Sequence, residues 1–415
     1  MTILNKMWGI KMKSGLIFSA LGFCLFSCSP NNQNGTDDHS LEKTAQEEKS
    51  ESLQLDRVTK RLPHMLEYGI GAEAFPRSME PTGEVRQVAS KDWTSGFYPG
   101  SLLFLSQLTD DNQYLNKAQE WLPYIEKEQY NDKTHDMGFK VYCSIGNAYR
   151  LTRKEEYSSV VIKSAKTLST RFNEDVGAIK SWDFGQDKWT FPVIIDNMMN
   201  LELLFEATNL TGDSAFYRIA DSHATVTLQN HFRSDNSSFH VVDYDPNTGE
   251  VVNKLTHQGL NTESSWARGQ AWGLYGFTMA YRYTRNERYL LQAESIAAFI
   301  IDHPRLPADK IPYWDFDDPQ IPDAPRDASA AAVIASALLE LATYSSSARH
   351  HYDEQATLIL ATLASQDYVL DESMDIPFIL KHSTGNMPKN DEVDVPMSYA
   401  DYYFLEALFR KGVNL

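Results

Sequence analysis

Two aspartates stand out for where the chain puts them. Asp196 lies between Val193-Ile194-Ile195 and Met198-Met199, a setting in which a carboxyl is poorly solvated and holds its proton to higher pH. An acid that keeps its proton near neutrality is what general acid catalysis requires. Asp136 follows His135 and precedes Met137-Gly138, a more polar and flexible setting, and it reads as the carboxylate that stays ionised. Two carboxyls in different environments are the usual equipment for glycoside hydrolysis. Each also has a purely structural reading: Asp136 as the N-cap of a helix starting near Gly138, Asp196 as a satisfied buried acid. Arg268, on an apolar helical stretch, needs an anion beside it, which a protein carboxylate or a substrate carboxylate would supply. His240 and His257 read as ligands, hydrogen-bond donors or loop fillers. No His-x-x-x-His pair or cysteine cluster is present, so a catalytic metal is not expected, and no Gly-rich phosphate loop or Gly-x-Ser-x-Gly elbow appears.

The elements that must position these groups are helical. Apolar spacing predicts about twelve helices, starting near Leu53, Ser95, Asn112, Gly138, Glu155, Val193, Asp213, Ser264, Glu287, Ala328, His351 and Met397. Strand-like alternation is rare, with Ser238-Phe239-His240-Val241-Val242 its best instance. The helices alternate in character. Stretches such as 111–128 and 286–301 carry one wet face, whereas 264–283 and 328–344 are apolar nearly all round. Six such pairs predict an all-α (α/α)6 barrel, six inner helices ringed by six outer ones; the alternative is an open helical solenoid. Aromatic and polar clusters precede the apolar helices, among them Asp92-Trp93, His135-Asp136, Trp189-Thr190-Phe191, Trp266-Ala267-Arg268, Arg326-Asp327 and Ser398-Tyr399. In a barrel these meet at one mouth, where aromatic faces take sugar rings and helix N-termini attract an anion.

The 415 residues are 42% hydrophobic, ample for a large core, and the formal net charge of −18 argues against nucleic acid as a partner. Cysteine is scarce. Cys24 and Cys28 lie in the leader and leave Cys143 without a partner, so no disulfide framework is possible; Cys143 reads as core. Lys11 and Lys13 precede an apolar run that ends in Leu25-Phe26-Ser27-Cys28, which resembles the lipobox of bacterial lipoproteins. The expected organisation is a lipoprotein signal over 1–28, a polar tether over 29–52 and a catalytic barrel over 53–415. Such a protein is held by lipid at Cys28 in the bacterial cell envelope, touches the membrane only through that lipid, and calls for no protein partner.

Asp92-Trp93-Thr94-Ser95-Gly96-Phe97-Tyr98-Pro99-Gly100, His135-Asp136-Met137-Gly138-Phe139, Ile195-Asp196-Asn197, Trp266-Ala267-Arg268-Gly269-Gln270-Ala271-Trp272 and Tyr313-Trp314-Asp315-Phe316-Asp317 together resemble glycoside hydrolase family 88, over about 93–408. The resemblance implies an (α/α)6 barrel that removes the unsaturated uronic acid left at the non-reducing end of lyase products. By it, Asp196 matches the general acid/base and Asp136 the second essential carboxylate. Trp93, Trp182, His240, Gln258, Trp266, Arg268 and Trp272 match substrate-site positions. The implied chemistry is hydration of the C4=C5 vinyl ether, without metal or cofactor. The Ser-x-x-Ser-x-Lys cluster of some members is not reproduced in Ser383-Thr384-Gly385-Asn386-Met387-Pro388-Lys389, which leaves sulfate preference open and makes Lys381 and Lys389 alternative anion partners. The competing readings are an unsaturated rhamnogalacturonyl hydrolase of the sister family, a lipoprotein that binds oligosaccharide without cleaving it, and a helical scaffold.

Overall fold

The computed structural model describes residues 53–71 and 73–415. Cys28 and the segments 1–28 and 29–52 lie outside the described residues. Six amphipathic helices bury one stripe each: α1 (Asp56–Glu67), α3 (Asn112–Glu126), α5 (Glu155–Ser169), α7 (Ser214–Asn230), α9 (Glu287–Ile301) and α11 (Arg349–Leu363). Between them run six helices of the other kind. These are α2 (Phe97–Leu108), α4 (π-helical over Gly138–Gly146, continuing as Asn147–Thr152), α6 (3₁₀ over Ile195–Asn200, continuing as Leu201–Thr211), α8 (Ala267–Thr284), α10 (Ala328–Leu341) and α12 (Ser398–Lys411). Every residue of α10 is buried, as its run of Ala, Val, Ile and Leu requires.

The second set forms a closed ring. α2 packs on α4, α4 on α6, α6 on α8, α8 on α10, α10 on α12, and α12 returns to α2. That closure makes the molecule an (α/α)6 barrel and sets the solenoid aside. All twelve helices begin within about three residues of the places expected from apolar spacing. One boundary is corrected: the stretch at Val193 opens with a strand, and the helix follows it. Pro192 and the β-branched Val193 and Ile194 pair with Asp243, Val242 and Val241, where a stiff branched side chain fits a pleated surface better than a helix.

Short hairpins sit at the helix connections. β1 (Phe75–Met79) pairs with β2 (Val85–Val88), and β3 (Phe172–Asn173) with β4 (Ala178–Ile179); β5 (Pro192–Ile194), β6 (Val241–Tyr244) and β7 (Val251–Leu255) form a three-stranded sheet. The strand expected over Ser238–Val242 therefore lies slightly later, at β6. Cys143 is buried and free, as expected for core.

The far ends of the inner helices are tied by buried charge. The Arg282 guanidinium on α8 meets Glu340 on α10 at 2.6 and 2.9 Å and also reaches Glu202 on α6. Arg410 on α12 donates to the same Glu340 at 2.6 Å. Burial alone would push the Glu340 carboxyl up; the two guanidiniums hold it down at about 2. Removing one partner would leave a buried charge uncompensated. Arg282→Met is therefore expected to lower stability by about 3–5 kcal/mol, read as a fall in the urea midpoint with unchanged slope.

Candidate active site

Because inner helices all run one way, their six N-termini open on the same mouth. Trp93 lies just before α2, and Asp136 at the start of α4. Asp196 is in the first turn of α6, Trp266 and Arg268 stand at the start of α8, Asp327 caps α10, and Tyr399 is in the first turn of α12. A cavity of about 210 Å³ sinks among them. The sequence-derived positions Trp93, Asp136, Trp182, Asp196, Gln258 and Arg268 all line it. Three others stand behind that surface. His240 backs Asp196, its Nε2 lying 3.6 Å from Asp196 Oδ2. Trp266 packs its ring 4.7 Å from His240 and beneath the Arg268 guanidinium. Trp272 is fully buried against Phe139 and Tyr403.

Asp196 sits in the 3₁₀ turn that follows the apolar strand β5, and this places its carboxyl in dry surroundings. Burial raises its pKa to about 7, Arg268 and its own backbone N–H pull it back, and Asp136 adds to the rise. The acid thus retains its proton through most of the acidic and neutral range, as its apolar neighbours in the sequence suggest.

His240 is held in one tautomer. Its Nδ1 accepts the backbone N–H groups of His257 and Gln258 at 3.1 and 3.0 Å, so the ring proton resides on Nε2, facing Asp196. Burial drives its pKa well below the ordinary value, with His257 and Arg268 adding to the fall. The imidazole is therefore a neutral donor. His257, on the cavity wall, is also neutral, lowered to about 4 by burial and by the cations Lys389 and Lys188. Of the two lysines singled out near the C-terminus, Lys389 is the one whose charge is felt at the mouth.

Asp136 is turned into the cavity. The Thr134 hydroxyl donates to Oδ2 at 2.6 Å, and His135 Nε2 stands 3.2 Å from Oδ1. The N-cap reading of this residue fails in an instructive way: the N–H groups of Gly138 and Phe139 go to Asn200 Oδ1. Arg268 has the protein partner of its two alternatives. It pairs with Asp327 at 2.9 Å, both buried, and donates to the carbonyls of Thr384 and Gly385. Gln258 donates to the same Gly385 carbonyl at 3.2 Å, so one loop of the wall hangs from two site residues.

Sequence reasoning missed several wall residues. Arg77 on β1 lies beside Trp93 and is held between Asp92 (2.9 Å) and Glu392 (2.7 Å); no local pattern announces it, because its partners are distant in the chain. Phe184 stacks on Trp182 at 4.9 Å and is 56% exposed, a large aromatic face open at the mouth. Tyr399 was signalled by the cluster before α12, and its ring lies 5.0 Å from that of Trp93. Among the described residues, no group of three His, Cys, Asp or Glu side chains is arranged to hold a metal.

With this geometry established, comparison with known proteins is specific. The family described as Glycosyl Hydrolase Family 88 matches residues 72–403. An unsaturated glucuronyl hydrolase of Formosa agariphila is 54% identical over 367 residues, 88% of this chain and 91% of its own. An unsaturated chondroitin disaccharide hydrolase of Streptococcus pneumoniae is 31% identical, over 86% of this chain and 90% of its own. Among solved structures, an unsaturated glucuronyl hydrolase specific for heparin superposes with a TM-score of 0.83 at 47% identity, covering 86% of this chain and 96% of that one.

The raised Asp196 pKa carries a stability signature. Folded protein keeps a proton that the unfolded chain releases near the ordinary value of 3.8, so stability is lost progressively as pH rises towards about 7. Asp196→Asn removes the buried charge. The variant is expected to melt higher than the parent at pH 8 and higher by a clearly smaller margin at pH 5. Equal melting shifts at the two pH values would contradict a raised pKa.

Proposed function

We infer the chemistry from one premise: the chain belongs to glycoside hydrolase family 88 and is an enzyme of the unsaturated glucuronyl hydrolase type. Its substrates are oligosaccharides ending in an unsaturated, 4-deoxy-hex-4-enuronic acid. We propose that Asp196 protonates C4 of the C4=C5 bond. Positive charge then develops at C5 and is shared with the ring oxygen. Water adds at C5 and gives up its proton to the Asp196 carboxylate, which restores the acid. The product is a hemiketal at C5; it opens to the keto form, and the aglycone leaves with its original oxygen. In this proposal Asp136 holds ring hydroxyls and stabilises the developing cation. Trp93, Trp182, Gln258 and Arg268 present the remaining contacts on the wall, with His240, Trp266 and Trp272 shaping it from behind.

One observation carries this reading. A dry carboxyl poised near pH 7 lies in a cavity shared with a second carboxyl and flanked by tryptophan. A protein that only bound oligosaccharide would have no use for an acid kept protonated at a desolvation cost. The cavity is a pocket at the barrel mouth, and a pocket accepts a chain end where a groove accepts a chain middle. Nothing in the comparisons favours the rhamnogalacturonyl activity of the sister family.

The N-terminal motif supports a location. We propose that Cys28 is lipidated and that the polar segment 29–52 tethers the barrel to a membrane of the bacterial envelope, the lipid being its sole membrane contact.

Lyase-generated disaccharides are expected to lose their ultraviolet absorbance when mixed with the protein. Asp196→Asn should slow this by about 10²–10⁴-fold with the fold intact. Because the acid must carry its proton, the wild-type rate should fall as pH rises through about 7; near-normal activity of Asp196→Asn, or a rate that climbs through that range, would refute the assignment. Assays on heparin, chondroitin, hyaluronan and ulvan products would identify the aglycone. In a second experiment, Cys28→Ala should move the protein from the membrane fraction to the soluble one. Persistence in the membrane fraction would overturn the anchor.

A further inference from the structure

Asp136 lies one residue ahead of Met137, the N-cap of the π segment, and its backbone still serves the helix start. Its carbonyl accepts the first i→i−4 bond of α4, from the Lys140 N–H at 3.0 Å. A carboxylate there ordinarily turns onto the N–H groups two and three residues ahead, which here belong to Gly138 and Phe139. Both are instead taken by a single atom, Asn200 Oδ1, at 2.8 and 3.1 Å. Two donors on one atom also fix which way the Asn200 amide faces. Asn200 is fully buried and is not itself among the residues that line the cavity. It ends the 3₁₀ segment of α6 in which Asp196 lies, so one side chain joins the two helices that carry the two carboxyls.

The close approach this needs is built into the sequence. A Cβ at position 138 would stand 2.7 Å from Asn200 Cα and 2.8 Å from its Oδ1. Only glycine lets α4 settle onto the asparagine. Buried N–H groups left without an acceptor are costly and take the nearest one offered. Without Asn200, that acceptor is the Asp136 side chain, two and three residues back.

We propose that Asn200 is a positioning residue of the reaction. It caps α4 from the neighbouring helix and thereby releases Asp136 from capping its own, leaving the carboxylate free to turn, with Thr134 and His135, towards the substrate. The inference rests on the reading of Asp136 as an essential carboxylate and adds the residue that makes it available.

The test is a cycle on the full-length enzyme, with kcat, KM and melting temperature measured for Asn200→Ala, Asp136→Asn and the double variant on a lyase-generated disaccharide. Asn200→Ala is expected to lower kcat by about 10²-fold, the scale of a displaced reacting group. Asn200→Asp keeps the acceptor and should recover most of that loss. In the Asp136→Asn background, adding Asn200→Ala should cost no more than about two-fold, because the residue it acts through is already gone. A crystal structure of Asn200→Ala should show the Asp136 carboxylate on the Gly138 and Phe139 N–H groups. Fully multiplicative losses, or an Asn200→Ala enzyme with near-normal kcat, would overturn the proposal while leaving the role of Asp136 intact. Near-normal activity of Asp136→Asn itself would overturn that role and the proposal with it. If Asn200→Ala does not fold, Gly138→Ala displaces the same contact and is read in the same cycle.

Discussion

A helix leaves its first N–H groups without partners inside the helix, and this barrel gathers six such ends at one mouth. Everything at the site follows from how those ends are satisfied. Where a carboxylate caps its own helix it becomes structure. Asp327 is the example: its Oδ1 takes the Ser329 N–H at 3.0 Å, its other oxygen pairs with Arg268, and it is fully buried. Where the cap comes from elsewhere, a carboxylate is left over for chemistry. Asp136 is that case, relieved by an asparagine on the next helix. The same fold thus makes a brace of one aspartate and leaves another turned into the cavity, and the difference is one hydrogen-bond acceptor.

The charges around the cavity obey a similar division. Arg77 is held between Asp92 and Glu392, and Arg268 is held by Asp327. These guanidiniums are anchors of the wall, and they fix the loop that carries Gly385. Asp196 has no such close cationic partner. The Arg268 charge reaches it only as a partial pull against a larger desolvation effect, and the acid ends near neutrality. Had Arg268 been free to pair with Asp196, the carboxyl would have been an ordinary buried ion and no proton donor.

Much of this was legible in the sequence, for reasons that can be stated. A helix buried on all sides and a helix buried on one stripe have different apolar spacing, so the barrel and its twelve starts could be read directly. Asp196 could be read as well, because the residues that desolvate it are its chain neighbours. The hairpins could not, because Phe75-Pro76-Arg77-Ser78-Met79 shows no alternation and pairs only through its partner strand. Asp136 was ambiguous between reagent and cap because the acceptor that decides the matter lies 62 residues beyond Gly138. Arg268 was ambiguous for the same kind of reason, its anion being 59 residues away. Local environment is written locally; the outcome of a competition between distant acceptors is not.

The proposed role of Asp196 as the acid agrees with the state of the other titratable groups around the cavity. His240 stands 3.6 Å from Asp196, but its Nδ1 is occupied by two backbone donors and burial keeps it neutral, so giving up the Nε2 proton would leave an imidazolate anion in a dry site. His257 is neutral as well, held low by burial and two lysines. Tyr399 holds its proton too tightly, since burial pushes its phenol well above the ordinary value. Protonating a carbon of a vinyl ether needs a neutral acid that can afterwards exist as an anion and take a proton from water. Asp196 is a buried carboxyl of this cavity whose pKa is raised towards neutrality, which is what the proposed role asks of it, and the neutral His240 N–H faces it from 3.6 Å.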